Sequence, residues 1–408
     1  MRSSLRRRSP AGVIVASFVA ALVAAAGLPA GAHHDPTVAD DPHTYTSPHA
    51  GVVAPPRAPG RLAPTSGALL GVHPEDRHTG ALTPSVQHIL ETESAVGRRM
   101  DIDNSYYEFF AIAESWDPGK AAVPFDAANP ATYDGRGLSR LAYWDVSLGR
   151  VPLVGWACQN SENINRGQYD QVIRDTGLAF KALGADFFLR YCWEMDGDRK
   201  QGEVKGPEKF INAWRRMHGI FQAEGATNVV WVWTPNAAGF KDARKYTGGQ
   251  PPAPFFYPGD EYVDWIAADG YNWGVSKRNQ GDRWRFVHEI FDEFMIFARE
   301  HPKPIMIGEY GAQEQPSDGE AKPHWFRVAH DTFQDKPKTP ECPWCGAFSD
   351  VAAIVYFDVD YGKHGDWRIM SSPASQAAYK EAADDSWFHQ VDTIGWAPAT
   401  NRAATPPS

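Results

Sequence analysis

The chain has 408 residues, of which 43% are hydrophobic and 22% are charged, a composition typical of a globular protein with a large core. Its formal net charge of −10 argues against a nucleic-acid partner. The 15 Trp and 15 Tyr residues are many for this length. They fit either a large aromatic core or exposed platforms on which sugar rings stack.

The N-terminus has the features of a secretory signal peptide. Four arginines precede an uncharged apolar run, which ends in small residues with Ala30 and Ala32 in an A-x-A arrangement. We therefore expect residues 1–32 to be removed and the protein to be secreted. A membrane anchor is the alternative, but the run is short for a span. No other stretch of the sequence is long and apolar enough for stable membrane insertion.

Composition divides the remaining chain into three parts. Residues 33–64 are rich in Pro, His, Asp and Ala without periodicity, which predicts a disordered leader or linker. Residues 397–408 are similar and predict a disordered tail. Between them, residues 65–396 show no tandem repeat and no break in composition, so we expect one folded domain.

Short apolar runs alternate with helical patterns throughout this domain. Eight of the runs predict strands, at 67–72, 101–110, 151–158, 186–194, 228–236, 263–271, 304–311 and 351–359. Strands alternating with helices predict a parallel sheet, and eight such units predict a closed (β/α)₈ TIM barrel. An open doubly wound sheet is disfavoured because no glycine fingerprint follows the first strand.

Two glutamates stand where predicted strands end. Glu194 ends the fourth strand and Glu309 ends the seventh, and both precede loops. The C-terminal ends of barrel strands form the active face, so we expect the two carboxyls to meet there. One protonated and one ionised carboxyl is the pair that a glycosidase needs, and Arg190, which we also expect to contact substrate, could hold one of them ionised. The alternative is that both are capping or ion-paired residues without a catalytic role.

The segments around these glutamates resemble glycoside hydrolase family 26, a β-mannanase family of retaining (β/α)₈ enzymes. The stretch "RYCWEMDG" (190–197) is similar to the family's acid/base motif Arg-x-x-His-Glu-Met-Asn-Gly, and "EYG" (309–311) is similar to its nucleophile motif. The segments "NVVWVWTPN", "YPGDEYVDWIAADGYNWG" and "IVYFDVD" also match, in the family's order. The resemblance extends from about residue 67 to about residue 371.

The resemblance implies roles for four residues. Glu194 would protonate the leaving glycosidic oxygen and later activate water, while Glu309 would attack the anomeric carbon. Tyr271 matches the family tyrosine that hydrogen-bonds the nucleophile, and Trp273 would form part of the sugar-binding floor. The implied function is endo-type hydrolysis of a β-linked polysaccharide. β-1,4-Mannan is the first expectation, with mixed-linkage β-glucan, β-xylan and a microbial cell-wall glycan left open.

The acid/base motif departs from the family pattern in three places. Trp193 replaces the histidine, Asp196 replaces the asparagine, and the charged residues 198–200 replace aromatic ones. A tryptophan loses a polar contact and offers a stacking face, so we expect Trp193 to bind substrate. The added charges fit a decorated or charged glycan, or simply a solvated loop.

Other aromatic residues near strand ends are weaker candidates. We expect Trp116, in the loop after the second strand, and Trp156, near the end of the third, to contact substrate, although core packing is the alternative for both. Tyr106 lies inside the second strand and is expected in the core. His73, at the end of the first strand, is expected to be structural.

The four cysteines suggest disulfides because the protein is predicted to be secreted. Cys342 and Cys345 predict a local bridge in a loop, since no second Cys or His pair stands at zinc-binding spacing. Cys158 and Cys192 end neighbouring predicted strands, and for them a bridge and two buried free thiols are both open.

We expect no cofactor and no catalytic metal. Acidic residues alternate along two predicted strands, at 101 and 103 and at 358 and 360, but no recognisable ligand series follows them. Two other classes of function are kept as alternatives: a non-catalytic glycan-binding barrel and a metal-dependent hydrolase. Oligomeric state is left open.

Overall fold

The computed structural model describes residues 54–74, 83–116, 138–241, 251–274, 283–315, 318–360, 362 and 365–396. The predicted signal peptide, residues 33–53 of the predicted leader and the predicted tail lie outside these residues. No helix in the described ranges combines the length and the apolar character that crossing a bilayer requires.

Eight parallel strands close into a barrel in sequence order, which confirms the predicted (β/α)₈ TIM barrel. Each strand pairs with its two neighbours, and β8 pairs with β1. The strands are β1 Leu69–Pro74, β2 Ile102–Tyr107, β3 Val151–Trp156, β4 Phe187–Tyr191, β5 Val229–Trp233, β6 Trp265–Asn272, β7 Ile305–Ala312 and β8 Val351–Asp358.

Helices surround the barrel and connect its strands. They are α1 Thr83–Val96, α2 Ala111–Ser115, α3 Leu138–Ser147, α4 Ser161–Asn165, α5 Asp170–Leu183, α6 Gln201–Val204, α7 Pro207–Glu224, α8 Val287–Arg299, α9 Ala321–Phe333 and α10 Pro373–Ala383. Directly after α5 stands Gly184, whose φ of 71° suits the left-handed helix cap.

Two hydrophobic layers hold the barrel together. One fills its interior with branched and aromatic side chains such as Ile102, Phe188 and Val355. The other lies between the strands and the outer helices. Strands with both faces buried have near-continuous apolar sequences, which explains why strands such as β5 were recognisable as apolar runs. The exception is β2, whose sequence IDNSYY is largely polar and whose last three residues are only partly buried.

Part of the predicted leader is ordered against the barrel. The Arg57 guanidinium donates hydrogen bonds to the carbonyl oxygens of Ser349 and Val351, at 3.0 and 2.7 Å. Leu62 is buried in the interior layer. Residues 54–64 therefore depart from the expected disorder, because an arginine and a leucine in this polar stretch each find a partner on the domain.

A buried arginine, Arg150, links the helices α1 and α3 to the strand β2. Arg150 donates hydrogen bonds of 2.7 and 2.6 Å to both oxygens of Glu93 on α1, and lies 3.6 Å from Asp145 on α3. Asp103 on β2 faces the same cluster. Burial raises the pKa of Asp103 to about 6, opposed by the charge of Arg150. Burial and the charge of Asp103 raise the pKa of Asp145 well above its ordinary value.

We predict that Arg150→Met lowers the free energy of unfolding at pH 7 by about 3–5 kcal/mol, because it leaves the buried carboxyls of Asp103 and Asp145 and the partly buried carboxyl of Glu93 without a cation. Urea unfolding measures this. Arg166→Met is the matched control, since Arg166 is exposed and lies 4.0 Å from its partner Glu162. Equal stability of the two variants would contradict the prediction.

Candidate active site

The chain leaves β4 through two residues in an unusual backbone conformation. Cys192 and Glu194 have φ values of 52° and 55°, in the left-handed region that few non-glycine residues adopt. Their N–H groups donate to the carbonyl oxygens of Trp156 and Thr234, at 2.8 and 2.7 Å. These bonds fasten the segment between β3 and β5. The carboxyl group of Glu194 is thereby held in a nearly enclosed position, with 5% of the residue exposed.

Three donors surround the carboxylate of Glu309 on β7. The Arg190 guanidinium donates to Oε1 at 2.6 Å, and the Tyr106 hydroxyl donates to the same oxygen. The Tyr271 hydroxyl, from β6, donates to Oε2. The two oxygens are therefore fixed in direction by groups from three other strands.

Arg190 also joins the carboxylate to the barrel beneath it. Its guanidinium lies 3.2 Å from Asp269 Oδ1 and donates to Asn104 Oδ1 at 3.1 Å. No part of the Arg190 residue is exposed. A Cβ atom on Gly308 would come within 2.6 Å of the Asp269 carboxylate, so glycine is needed there to make room for the pair.

The two glutamates have opposite pKa shifts. Burial would raise the pKa of Glu309, but Arg190, His73 and the two tyrosine hydroxyls outweigh it and lower the pKa below its usual value. Burial raises the pKa of Glu194 to about 8, with Lys200 opposing that shift and the charge of Glu309 adding to it. Near neutral pH the site thus holds one protonated and one ionised carboxyl, the state that acid–nucleophile catalysis requires.

Aromatic rings line the site beside Glu309. Trp273 is half-buried and packs edge-on against Trp367, with ring centres 5.0 Å apart. Trp367 also packs against the Tyr271 ring at 5.3 Å. A partly exposed indole held at a fixed angle next to the carboxylate can present a face or an edge to a sugar ring.

Comparison with known proteins agrees with this arrangement. The family model described as "Glycosyl hydrolase family 26" matches residues 187–342, which include Glu194 and Glu309. Endoglucanase H of Acetivibrio thermocellus is 31% identical over 268 residues, covering 64% of this chain and 26% of the relative. The chain thus spans about a quarter of the length of that relative. The resemblance to glycoside hydrolase family 26 is confirmed.

Solved structures of family 26 share the fold. A ruminal endo-β-1,4-mannanase is 13% identical, with 86% of this chain and 73% of that chain covered and a TM-score of 0.52. A double mutant of the Cellulomonas fimi endo-β-1,4-mannanase is 15% identical, with coverages of 80% and 74% and the same TM-score. At these identities the similarity establishes the barrel alone.

The structure brings together four of the residues singled out by the family 26 resemblance. Glu309 and Tyr271 are in contact, and Trp273 lies beside Tyr271, with ring centres 6.0 Å apart. Glu194 interacts electrostatically with Glu309. The catalytic and binding roles of these residues stay predictions.

Two expectations near β4 need correction. Arg190 was predicted to contact substrate, but it is fully buried and braces Glu309 and Asp269 instead. In a regular strand Cys192 would share a face with Arg190 and Glu194, but it packs in the layer outside the barrel. The positive φ values at 192 and 194 break the simple alternation of side chains on which that expectation depended.

Trp116 and Trp156 were expected to contact substrate, and both pack in the hydrophobic layer outside the strands. Trp156 is completely buried between strands and helices, where it stacks on Phe109 at 4.7 Å and donates to that residue's carbonyl. Trp116 packs at the outer surface of α5, beside Leu178 and Lys181. Trp156 is the last residue of β3, and its position on the pleat directs its side chain to the outer layer.

Sequence reasoning missed Tyr106, which was expected in the core. Its hydroxyl contacts Glu309, and its ring lies 4.6 Å from the ring of His73. A Cβ atom on Gly155 of the neighbouring strand would come within 2.5 Å of the Tyr106 ring, so that glycine makes the space. A glycine within the run "VPLVGW" was the available signal. His73 is buried, as a structural histidine would be, yet its charge also acts on Glu309.

Asp196, in the place of the family asparagine, fastens β4 to the segment after β5. Its Oδ1 accepts hydrogen bonds from the backbone N–H and the side-chain amide of Asn236, at 2.9 and 3.0 Å. Burial raises the pKa of Asp196 to about 6, opposed by these hydrogen bonds. The substitution therefore has a structural role beside the candidate acid.

All four cysteines form disulfides. The local Cys342–Cys345 bridge is as expected, and Cys158–Cys192 is bridged rather than present as free thiols. Within the described residues, the one His/Cys/Asp/Glu group with ligand atoms close enough for a metal is Asp331, Cys342 and Cys345. Its sulfurs are joined to each other, so they offer no thiolates.

We predict unequal stability losses when the two bridges are removed. Cys158 and Cys192 are 34 positions apart, and Cys342 and Cys345 are three apart. Replacing the first pair by Ala should lower the free energy of unfolding by about 4 kcal/mol and replacing the second by about 2 kcal/mol, because the longer loop regains more entropy. Urea unfolding of the two double variants measures this, and equal losses would contradict it.

Proposed function

We propose that the protein is a secreted, retaining, endo-type β-glycoside hydrolase that acts on a polysaccharide. The observation that carries this proposal is the pair of buried glutamates with pKa values displaced in opposite directions, at the ends of β4 and β7. Retaining glycosidases use one acid and one nucleophile across the scissile bond in this way.

In the first step, Glu194 donates its proton to the glycosidic oxygen while Glu309 attacks the anomeric carbon. The bond to the leaving sugar breaks, and a glycosyl ester forms on Glu309. In the second step, the Glu194 carboxylate takes a proton from water, whose oxygen attacks the same carbon and releases Glu309. The two displacements restore both carboxyls to their starting states and retain the anomeric configuration.

The groups around Glu309 suit the nucleophile's role. Arg190 and the two tyrosine hydroxyls stabilise the ionised carboxylate and fix the direction of its oxygens. Trp273, partly exposed beside Tyr271, would support the sugar bonded to Glu309. Burial of Arg190 excludes water from the far side of the carboxylate, which keeps the interaction strong.

β-1,4-Mannan is the first substrate that we propose, because the similar solved structures include endo-β-1,4-mannanases. A β-glucan is the second, favoured by the name of the 31% identical relative, Endoglucanase H. β-Xylan and microbial cell-wall glycans complete the panel. Reducing-end and product-length assays over these glycans would separate the candidates and distinguish endo from exo action.

Secretion is supported by the predicted signal peptide at residues 1–32 and by the two disulfides, since disulfides persist mainly in oxidising compartments. The net charge of −10 disfavours nucleic acid as a partner. A non-catalytic glycan-binding barrel is the rival function, and the Trp193 departure is its main support. A metal-dependent hydrolase would lose activity in the presence of a chelator, whereas the proposed reaction would not.

We predict that Glu194→Ala and Glu309→Ala each lower kcat on the natural polysaccharide at least about a hundredfold, because each removes a group that acts in the transition state. The two variants should differ on aryl glycosides. A leaving group that needs no proton should still be released by Glu194→Ala, giving a burst of phenol, but not by Glu309→Ala.

Glu203→Ala is the matched control, since Glu203 is exposed in the connection after β4. It should keep the wild-type rate. Full turnover by either active-site variant would overturn the assignment of the pair. Unchanged glycan binding without turnover in any form of the protein would favour the non-catalytic barrel.

We also predict a bell-shaped pH dependence of kcat/KM. Activity requires ionised Glu309, whose lowered pKa places the acidic limb below the ordinary glutamate value of 4.5. It also requires protonated Glu194, so activity should fall as pH rises through about 8. Rates measured from pH 3 to 10 test this. A basic limb near 5 would contradict the enclosed environment of Glu194.

A further inference from the structure

Lys200 lies against the residue that precedes Glu194. It ends a short 3₁₀ turn, Asp198–Lys200, in the connection after β4. Its Nζ lies 3.8 Å from the centre of the Trp193 ring and donates a hydrogen bond to the Trp193 carbonyl oxygen. One ammonium group therefore holds both the backbone and the side chain of the residue next to the candidate acid.

Trp193 in turn packs against Tyr106. Their ring centres are 4.5 Å apart and the planes are inclined by 28°, a stacked arrangement. The Trp193 residue is half-buried, and two groups of the protein already contact the ring that was expected to stack on substrate.

The stack ends on the candidate nucleophile. The Tyr106 hydroxyl donates to Glu309 Oε1, and the Arg190 guanidinium lies 5.6 Å from the Tyr106 ring centre. Lys200, Trp193, Tyr106 and Glu309 thus form a continuous series of contacts across the mouth of the barrel, which we call the Lys200 column. One end of this column is Glu309, and the ammonium group at the other end acts electrostatically on Glu194.

Several charges face the ammonium at the top of the column. Glu194 has the strongest electrostatic effect on it among these charges, followed by Asp269 on β6 and Glu309 on β7, and Arg190 on β4 opposes them. Burial lowers the pKa of Lys200 to about 8 against the pull of these carboxylates. The ammonium therefore contributes electrostatically to the site as well as by contact.

We propose that Lys200 is a positioning residue for both carboxyl groups of the reaction. It holds Glu194 through the carbonyl of Trp193, and it holds Glu309 through the indole of Trp193 and the phenol of Tyr106. This inference rests on the proposed hydrolase function. It also explains why two departures from the family 26 motif occur together, since the tryptophan at 193 and the lysine at 200 are the two members of one cation–π contact.

Two consequences distinguish a positioning role from a purely structural one. Loss of the column would misplace groups that act in the transition state, so kcat would fall while KM stayed nearly constant. Loss of the positive charge would favour the protonated form of Glu194, since Lys200 is the strongest influence lowering that pKa. The basic limb of the pH profile would then move to higher pH.

The experiment compares the full-length wild type with Lys200→Met, Lys200→Arg and the control Lys205→Met on one polysaccharide hydrolysed by the wild type. Lys205 is exposed in the same connection. We expect Lys200→Met to lower kcat by about tenfold to a hundredfold with KM within about twofold, and to shift the basic limb upward. Lys200→Arg should restore most of kcat, and Lys205→Met should match the wild type.

Combining Lys200→Met with Tyr106→Phe tests the path to Glu309. If the Lys200 column acts as a unit, the fold-decrease in kcat of the double variant should be much smaller than the product of the fold-decreases of the two single variants. Fully independent effects would remove that part of the proposal. A raised KM with unchanged kcat would instead make Lys200 a direct substrate contact, and unchanged kcat with an unmoved basic limb would overturn the proposal.

A readout without substrate separates this inference from the proposed function. Titration of the Glu194 carboxyl carbon by ¹³C NMR should give a higher pKa in Lys200→Met than in the wild type, while Lys205→Met leaves it unchanged. If no glycan is hydrolysed by the wild type, the proposed function fails, and this titration still decides the electrostatic part. If Lys200→Met does not fold, Lys200→Gln takes its place. An unshifted pKa of Glu194 in Lys200→Gln would refute the proposed role of Lys200.

Discussion

The ion pair between Arg190 and Glu309 is the constraint on which the rest of the site depends. Three carboxyl groups, Glu194, Asp269 and Glu309, are buried at one end of the barrel. The Arg190 guanidinium contacts two of them directly. Because it is itself fully buried, its charge is weakly screened and keeps Glu309 ionised. The ionised Glu309 then disfavours charge on Glu194, so one interaction helps to set both protonation states.

The barrel was predictable from sequence because its strands are buried on both faces. Runs such as "VPLVGW" and "VVWVW" have no charged residue, and their spacing leaves room for helices between them. The positions of Glu194 and Glu309 at strand ends followed from the same pattern. Glu309 lies within β7 rather than at its end, since that strand continues to Ala312, and the pairing of β7 with β8 shifts in register between Ile307 and Tyr310.

Other parts of the site depended on information that a strand pattern lacks. Glu194 lies beyond the regular end of β4, where positive φ values at 192 and 194 redirect the chain. The sequence predicts that Tyr106 lies in the core, yet its hydroxyl contacts Glu309, because Gly155 on β3 leaves space for its ring. The sequence predicts that Trp156, near the end of a strand, contacts substrate, yet its ring packs against Phe109 in the outer layer. In each case a contact between distant residues decided the outcome.

The backbone around Glu194 shows how the fold stabilises an unfavourable arrangement. A left-handed φ at two non-glycine residues and a buried carboxyl each cost free energy. The Cys158–Cys192 bridge fastens one of these residues to the end of β3, and the hydrogen bond from Glu194 N–H to Thr234 fastens the other to the end of β5. The strained segment is thus supported from both neighbouring strands. A regular strand would satisfy the backbone hydrogen bonds more easily, but it would place the Glu194 carboxyl in a different position and a different environment. The strain is therefore tied to the same enclosure that raises the pKa of Glu194.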